Sequence, residues 1–194
     1  AFTYSGATGD LIYQCSVPGS YYTFGDAVAD AGDVDGDGLA EIIVGAPRSR
    51  PGFAQVYSSN GNLLYRLENT TGNGSNRFGA SVSSAGDVNG DGFADLMVGA
   101  PFESREGEAY VFSGASGGLL YTFTSGTGDR DAFGYSVGGI GDVDGDGAPD
   151  LLVGAPDHYY GRGAVFLYSG RSGLLIDLFV SPTYGGSFGS SISS

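Results

Sequence analysis

The sequence predicts an all-β fold, a β-propeller of four-stranded antiparallel blades, and three observations carry that prediction. Phe-Gly recurs at Phe24, Phe78, Phe133 and Phe188, at spacings of 54, 55 and 55 residues in a chain of 194. Each period holds four short apolar runs of strand length. The 37 glycines follow no triplet period, which excludes a collagen helix and favours a fold with many tight turns. A four-stranded unit repeated at this interval cannot bury its apolar faces alone, and buries them by stacking on its neighbours around an axis, as blades do.

Taken in order, residues 2–13 align with residues 110–121 and read as the third and fourth strands of a preceding unit, so residues 1–23 are a half blade. Complete blades are expected over 24–77, 78–132 and 133–187, and 188–194 reads as the first strand of a further one. The chain therefore holds three complete blades with partial blades at both ends. In each unit the first strand opens on Phe-Gly-x-x-Val (24–29, 78–83, 133–138), with Val28, Val82 and Val137 in matching places. The second is a near-continuous apolar run, Ile42-Ile43-Val44, Leu96-Met97-Val98 or Leu151-Leu152-Val153, of the kind buried on both faces. Gly-Ala-Pro ends it, because Pro cannot donate to a ladder and restricts the residue before it. A third strand (54–57, 109–112, 164–168) passes through Ser/Asn/Gly turns suited to a tight hairpin into a fourth (63–67, 119–123, 174–179).

Between the first and second strands the chain places Asp-x-Asp-Gly-Asp-Gly, with Asn for the second Asp in the middle copy. Carboxylates on alternate residues, separated by glycines that let the backbone fold until those side chains converge, are oxygen ligands for a hard divalent cation. Counting from the first Asp, the expected ligands are the side chains at positions 1, 3, 5 and 9 and the carbonyl at 7. They are Asp33, Asp35, Asp37 and Glu41 with the carbonyl of Leu39, then Asp87, Asn89, Asp91 and Asp95 with that of Phe93. The third set is Asp142, Asp144, Asp146 and Asp150 with the carbonyl of Ala148. These oxygens with water reach the roughly six to eight that Ca²⁺ takes, so three Ca²⁺ sites are expected. An EF-hand shares the opening pattern but needs a bidentate Glu at position 12, where this chain has Val44, Val98 and Val153. Glu41 is a methylene longer than its counterparts and Asn89 removes a charge, so the first site is expected to differ in geometry and the second in strength.

The net charge of −14, with all eight basic residues Arg, argues against nucleic acid as a partner. Three divalent cations add six positive charges and bring −14 to −8, so much of the acidity belongs to the loops. No apolar run approaches the roughly 20 residues of a membrane span. Cys15 is the only cysteine, which excludes an intrachain disulfide and reads as a small buried residue. Asn69-Thr70-Thr71 and Asn73-Gly74-Ser75 fit the glycosylation sequon.

Phe-Gly, Asp-x-Asp-Gly-Asp-Gly and Gly-Ala-Pro in fixed succession closely resemble the FG-GAP repeat of integrin alpha-subunit propellers and related bacterial surface proteins. The resemblance covers essentially the whole chain. It implies seven blades in a complete ring, more than this chain supplies. Closure is then expected in one of three ways: pairing of 188–194 with 2–13 into a four-bladed ring, exchange of those pieces between two copies, or continuation into a longer propeller.

The calcium loops lie at one end of the blades, and the other loops at the opposite end carry Arg48, Arg50, Arg77, Arg105, Arg130 and Arg162, with Phe102, His158, Tyr159 and Tyr160. Arg and Tyr are favoured interface residues, and the resemblance implies ligand binding on that face. The expected partner-binding residues are Arg48, Arg50, Phe102, Arg105, His158, Tyr159, Tyr160 and Arg162. The expected function is a non-enzymatic, calcium-stabilised extracellular recognition or adhesion module, secreted or at the cell surface. The alternatives are a lectin-like glycan-binding propeller and an accessory domain of a larger secreted enzyme.

Overall fold

The computed structural model describes residues 1–17, 23–69 and 77–193. The sequon at residues 73–75 lies outside the described residues, as do the Thr70 and Thr71 of the other. The fold is all-β. A two-stranded sheet of β1 (Phe2–Tyr4) and β2 (Leu11–Gln14) precedes three four-stranded antiparallel sheets. The first is β3 (Ala27–Gly32), β4 (Glu41–Ala46), β5 (Phe53–Tyr57) and β6 (Leu63–Glu68). The second is β7 (Ser81–Gly86), β8 (Asp95–Ala100), β9 (Glu108–Phe112) and β10 (Leu119–Phe123). The third is β11 (Ser136–Ile140), β12 (Asp150–Ala155), β13 (Ala164–Tyr168) and β14 (Leu175–Val180). In each sheet the strands lie in sequence order.

Repetition extends to register: Val28 pairs with Val44, Val82 with Val98, and Val137 with Val153. All six residues of β8 are buried, as its unbroken apolar run requires. Strand β3 packs on β7 and β7 on β11, so the first strand of each sheet is innermost. The fourth strands are outermost, and β14, which no further blade covers, is largely exposed. The apolar clusters lie between sheets rather than within them. One joins Ile43, Val56 and Leu67 of the first sheet to Phe78, Leu96 and Tyr110 of the second, and another joins Met97, Val111 and Phe123 to Leu151, Val153 and Phe166. Cys15 is buried with Val44 and Tyr57 where the β1–β2 hairpin meets the first sheet.

Phe-Gly is not part of the first strand, which begins three residues later than the pattern suggests. Gly79 has φ 88° and its N–H bonds to the Gly99 carbonyl of the second strand in its own sheet, while Phe78 packs on Tyr110 and Phe112 of the third. The Gly79 carbonyl meanwhile faces the preceding sheet. A Cβ on Gly45, the glycine of the first Gly-Ala-Pro, would stand 2.0 Å from that oxygen. The same 2.0 Å approach relates Gly99 to the Gly134 carbonyl and Gly154 to the Gly189 carbonyl. Phe-Gly of one unit and Gly-Ala-Pro of the unit before it thus form one joint, in which neither glycine has room for a side chain. Ser81 and Ser136 donate their hydroxyls into the joint, to the carbonyls of Gly134 at 2.9 Å and Gly189 at 2.7 Å. Ala27, at the matching place in the first sheet, has no hydroxyl to give.

The chain's last piece makes this joint with the third sheet: Phe188 bridges Gly163 in parallel fashion and Ile192 lies against Gly138. Residues 188–193 form no strand, and β1–β2 remains a two-stranded sheet among the described residues.

Candidate metal centres and the opposite face

Each Asp-Gly loop connects the first and second strands of a sheet, and its side chains fold the backbone around themselves. The Asp33 carboxylate accepts from the N–H groups of Gly36 at 2.7 Å and Gly38 at 3.0 Å, Asp35 from Asp37 at 3.1 Å, and Asp37 from Leu39 at 2.8 Å. The third loop repeats the set: Asp142 accepts from Gly145 at 2.6 Å and Gly147 at 2.9 Å, Asp144 from Asp146 at 3.0 Å, and Asp146 from Ala148 at 2.9 Å. The donor glycines at positions 4 and 6 are left-handed, with φ 80° and 83° in the first loop, a conformation a Cβ would strain. Carboxylates at positions 1, 3 and 5 are thereby brought together. One oxygen from each of Asp33, Asp35 and Asp37, and likewise of Asp142, Asp144 and Asp146, lies within 4.8 Å of the others, so each set can hold a metal ion.

The second loop has the same backbone, with Asp87 accepting from Gly90 and Gly92, but one carboxylate fewer. The Asn89 amide nitrogen donates to Asp91 at 2.9 Å, tying down an oxygen that a cation would otherwise use.

The residues at position 9 behave differently from the other three. Glu41, Asp95 and Asp150 are fully buried and lie outside the two carboxylate clusters. Each accepts backbone N–H bonds from both its own loop and the residues after the third strand, two for Glu41 and three each for Asp95 and Asp150, which staple the loop to the end of that strand. Glu41 takes those of Val34 at 2.9 Å and Ser59 at 3.1 Å, Asp95 those of Val88 and Gly114 at 3.0 Å each, and Asp150 those of Val143 at 2.8 Å and Gly170 at 3.2 Å. The extra methylene of Glu41 leaves this staple intact. Burial pushes the Asp95 carboxyl up to about 6 against the pull of the Gly114, Val88 and Asn89 N–H groups, with the charge of Asp91 adding to the rise. Burial likewise raises Glu41.

Of the position-7 residues, Leu39 is exposed, Ala148 is buried, and the Phe93 ring lies over Gly36 of the preceding loop. Two hydroxyls absent from the expected ligand sets also reach the loops: Ser59 donates to Asp37 and Ser169 to Asp146, each at 3.0 Å. They follow the third strand, distant in sequence from the loops they serve.

At the opposite end, Arg48 lies 4.0 Å from Asp26, Arg50 is exposed, and the Arg77 guanidinium stands 4.5 Å over the half-exposed Phe102 ring. Arg105 and Arg130 come together across one cleft. Tyr159 and Tyr160 project from a tight turn with φ 48° and 60°, and Arg162 stacks on Tyr184 at 4.2 Å. His158 is the exception to the expected partner set. It is 2 % exposed, its Nδ1 hydrogen-bonds to buried Asp131 at 2.9 Å, and its ring packs on Phe166, so it does not face a partner. The loop position suggested exposure; a carboxylate 27 residues away draws the ring inward. Asp131, itself 2 % exposed, carries no sequence signal that would pair it with His158.

A family model described as FG-GAP repeat matches residues 24–61, 78–112 and 133–168, together more than half of the chain. Among curated proteins, the chain is 38% identical over 156 residues to integrin alpha-3 of Cricetulus griseus, covering 70% of this chain and 14% of that protein. It is 33% identical over 197 residues to integrin alpha-4 of Xenopus laevis, covering 92% and 18%. The chain thus spans less than a fifth of the length of these relatives. Among solved structures it superposes on the exotype rhamnogalacturonan lyase YesX with a TM-score of 0.56 at 21% identity, covering 96% of this chain and 36% of that one. Against a rhamnogalacturonan lyase of Bacillus licheniformis the TM-score is 0.55 at 22% identity, covering 92% and 40%. At such identities the superpositions speak for the propeller fold alone.

Proposed function

The chain belongs to the FG-GAP repeat family, and from that premise we propose that it is a calcium-stabilised, non-enzymatic propeller module for recognition or adhesion outside the cell. The observation that carries this reading is the convergence of three carboxylates in the first loop and three in the third, at the same place in a repeated unit. Asp33, Asp35, Asp37 and Glu41 with the Leu39 carbonyl would hold one Ca²⁺. Asp87, Asn89, Asp91 and Asp95 with that of Phe93 would hold the second. Asp142, Asp144, Asp146 and Asp150 with that of Ala148 would hold the third. Calcium would supply the charge that lets these carboxylates share a loop, while the N–H bonds of the buried position-9 carboxylates hold the loop ends against the third strands.

A ligand that binds only the folded state stabilises it by about 2.7 kcal/mol per site when its free concentration is 100-fold above Kd. Calcium modules of modest affinity work where calcium is abundant, which supports an extracellular, secreted or surface setting. The units 24–77, 78–132 and 133–187 are the blades of this module, with 1–23 and 188–194 completing blades in a longer ring or a second copy. The Arg-rich and aromatic loops opposite the metal ends form the recognition face.

Thermal melting with calcium and with chelator tests the structural role. The midpoint is expected to rise by several degrees with calcium and fall back with chelator; an identical midpoint in both would sink the calcium claim.

A further inference from the structure

The recognition face contains one cleft whose chemistry is more specific than the face as a whole. It opens where the second and third sheets meet, measures about 410 Å³, and is lined by Phe102, Ser104, Arg105, Arg130 and Asp157 around Pro101 and Ala132. That volume is within the usual range for a small-ligand pocket. Arg105 and Arg130 enter from different loops, and neither makes an ion pair among the described residues.

Both walls are held in place from behind. The Glu106 carboxylate, next to Arg105 in sequence, accepts from the Ser125 hydroxyl at 2.9 Å and from the N–H groups of Gly126 and Gly128 at 2.8 Å each, which fastens the loop carrying Arg130 to the turn carrying Arg105. Buried Asp131 takes a bond from His158 at 2.9 Å, and its carbonyl accepts the Asp157 N–H at 3.1 Å. Ser104 sits in the left-handed region at φ 50°, whereas Ala132 at φ 53° repeats the conformation that Arg77 and Ser187 adopt before their own Phe-Gly. Strained backbone of this kind persists where the surroundings over-determine it, as they do in preformed sites. The network thus secures a pocket whose two cations make no ion pair among the described residues.

We propose that this cleft binds a uronate residue of an acidic polysaccharide. Two guanidiniums carried on different loops and lining one cleft match one planar carboxylate. The Asp157 carboxylate accepts from sugar hydroxyls, and Phe102, half-exposed with the Arg77 guanidinium over its ring at 4.5 Å, gives the cleft an apolar border for the C–H side of a pyranose. An acidic peptide would use the arginines but brings no hydroxyls of a sugar ring to Asp157. A second cleft shares Phe102 and Pro101 and carries Arg77, with Arg48 beside Asp26 at 4.0 Å, so a polymer with repeating carboxylates meets the Arg77 cation on the other side of Phe102. This assignment rests on the recognition reading of the face and names its ligand class.

The test is calorimetric titration of the intact protein, with calcium present, using three probes: a mannuronate hexamer, the neutral mannose hexamer that differs from it only in the carboxylates, and an oligoglutamate peptide. The mannuronate hexamer is expected to bind, to weaken as salt screens the arginines, and to lose at least about tenfold in affinity in Arg105→Gln/Arg130→Gln. The neutral hexamer is expected not to bind. Both arginines are exposed, so the variant's melting midpoint should match the wild type and separate lost binding from lost folding. Equal affinity for the neutral sugar, undiminished binding in the double variant, binding of the peptide alone, or binding of no probe would each overturn the proposal. The recognition reading is judged separately, by whether calcium-loaded protein adheres to cell-surface or matrix preparations through the wider Arg-rich face.

Discussion

At the scale of single residues, two side chains and one missing side chain decide a great deal. Burial pushes the Asp131 carboxyl up, but the Ser125 and Thr127 hydroxyls and the hydrogen bond and charge of His158 pull it below its ordinary value. A carboxyl lowered by folding contributes stability that is present above its unfolded value of about 3.9 and is lost as pH falls through the folded value. The melting midpoint should therefore drop as pH falls below about 4, and Asp131→Asn should flatten that part of the profile. Weakening the His158 bond should also cost about 1–3 kcal/mol at neutral pH, measurable by urea titration. The missing side chain is at Gly99, where an added Cβ would stand 2.0 Å from the Gly134 oxygen and 2.2 Å from the Ser81 hydroxyl. Gly99→Ala is expected to destabilise by about 1–3 kcal/mol or more, as overpacking does. Gly141→Ala, with nothing within 4 Å of the added carbon, should stay within about 0.5 kcal/mol in the same denaturation experiment.

At the scale of elements, the three loops share a backbone and differ in charge. The Asn89→Asp variant replaces an amide that occupies an Asp91 oxygen with a further carboxylate. It should tighten calcium binding to the second loop by roughly tenfold, since ligand charge tunes such sites. In the third loop Arg171 lies 3.7 Å from Asp146 with both side chains partly in solvent, an interaction worth at most about 1 kcal/mol. Arg171→Gln should accordingly raise that loop's affinity by up to about fivefold, and calorimetric titration of each variant measures both effects.

Loop position, length and the alternating carboxylates were all legible in the sequence, because a 3-residue Asp-x-Asp geometry is local. The stapling role of Glu41, Asp95 and Asp150 was not. Their partners Ser59, Gly114 and Gly170 lie 18 to 20 residues on, and only the pairing of second and third strands brings them close. Phe-Gly was misplaced for a similar reason. Phe-Gly-x-x-Val reads as the start of a strand, yet Gly25, Gly79 and Gly134 are left-handed and give their N–H to the glycine carbonyl at the end of the second strand, so regular pairing begins only after them.

At the scale of the whole molecule, the apolar clusters lie between sheets, so each blade is stabilised by its neighbours and the ends are the weakest parts. Hydrogen exchange should be slowest in β8, whose six residues are all buried between two complete sheets, and fastest in the β1–β2 hairpin and β14. Near-equal exchange in β8 and β14 would contradict a stability that is shared between neighbouring blades.

The sequence by itself determined the repeat, the four strands per unit, the metal-loop positions and the separation of acidic and Arg-rich ends. These follow from periodicity and from chemistry within a few residues. Only the tertiary structure decided that Phe-Gly and Gly-Ala-Pro meet across units, that His158 is buried, and that Arg105 and Arg130 share a cleft. Each of those depends on backbones from different units approaching closely, and such an approach is set by packing between sheets, which no local pattern encodes.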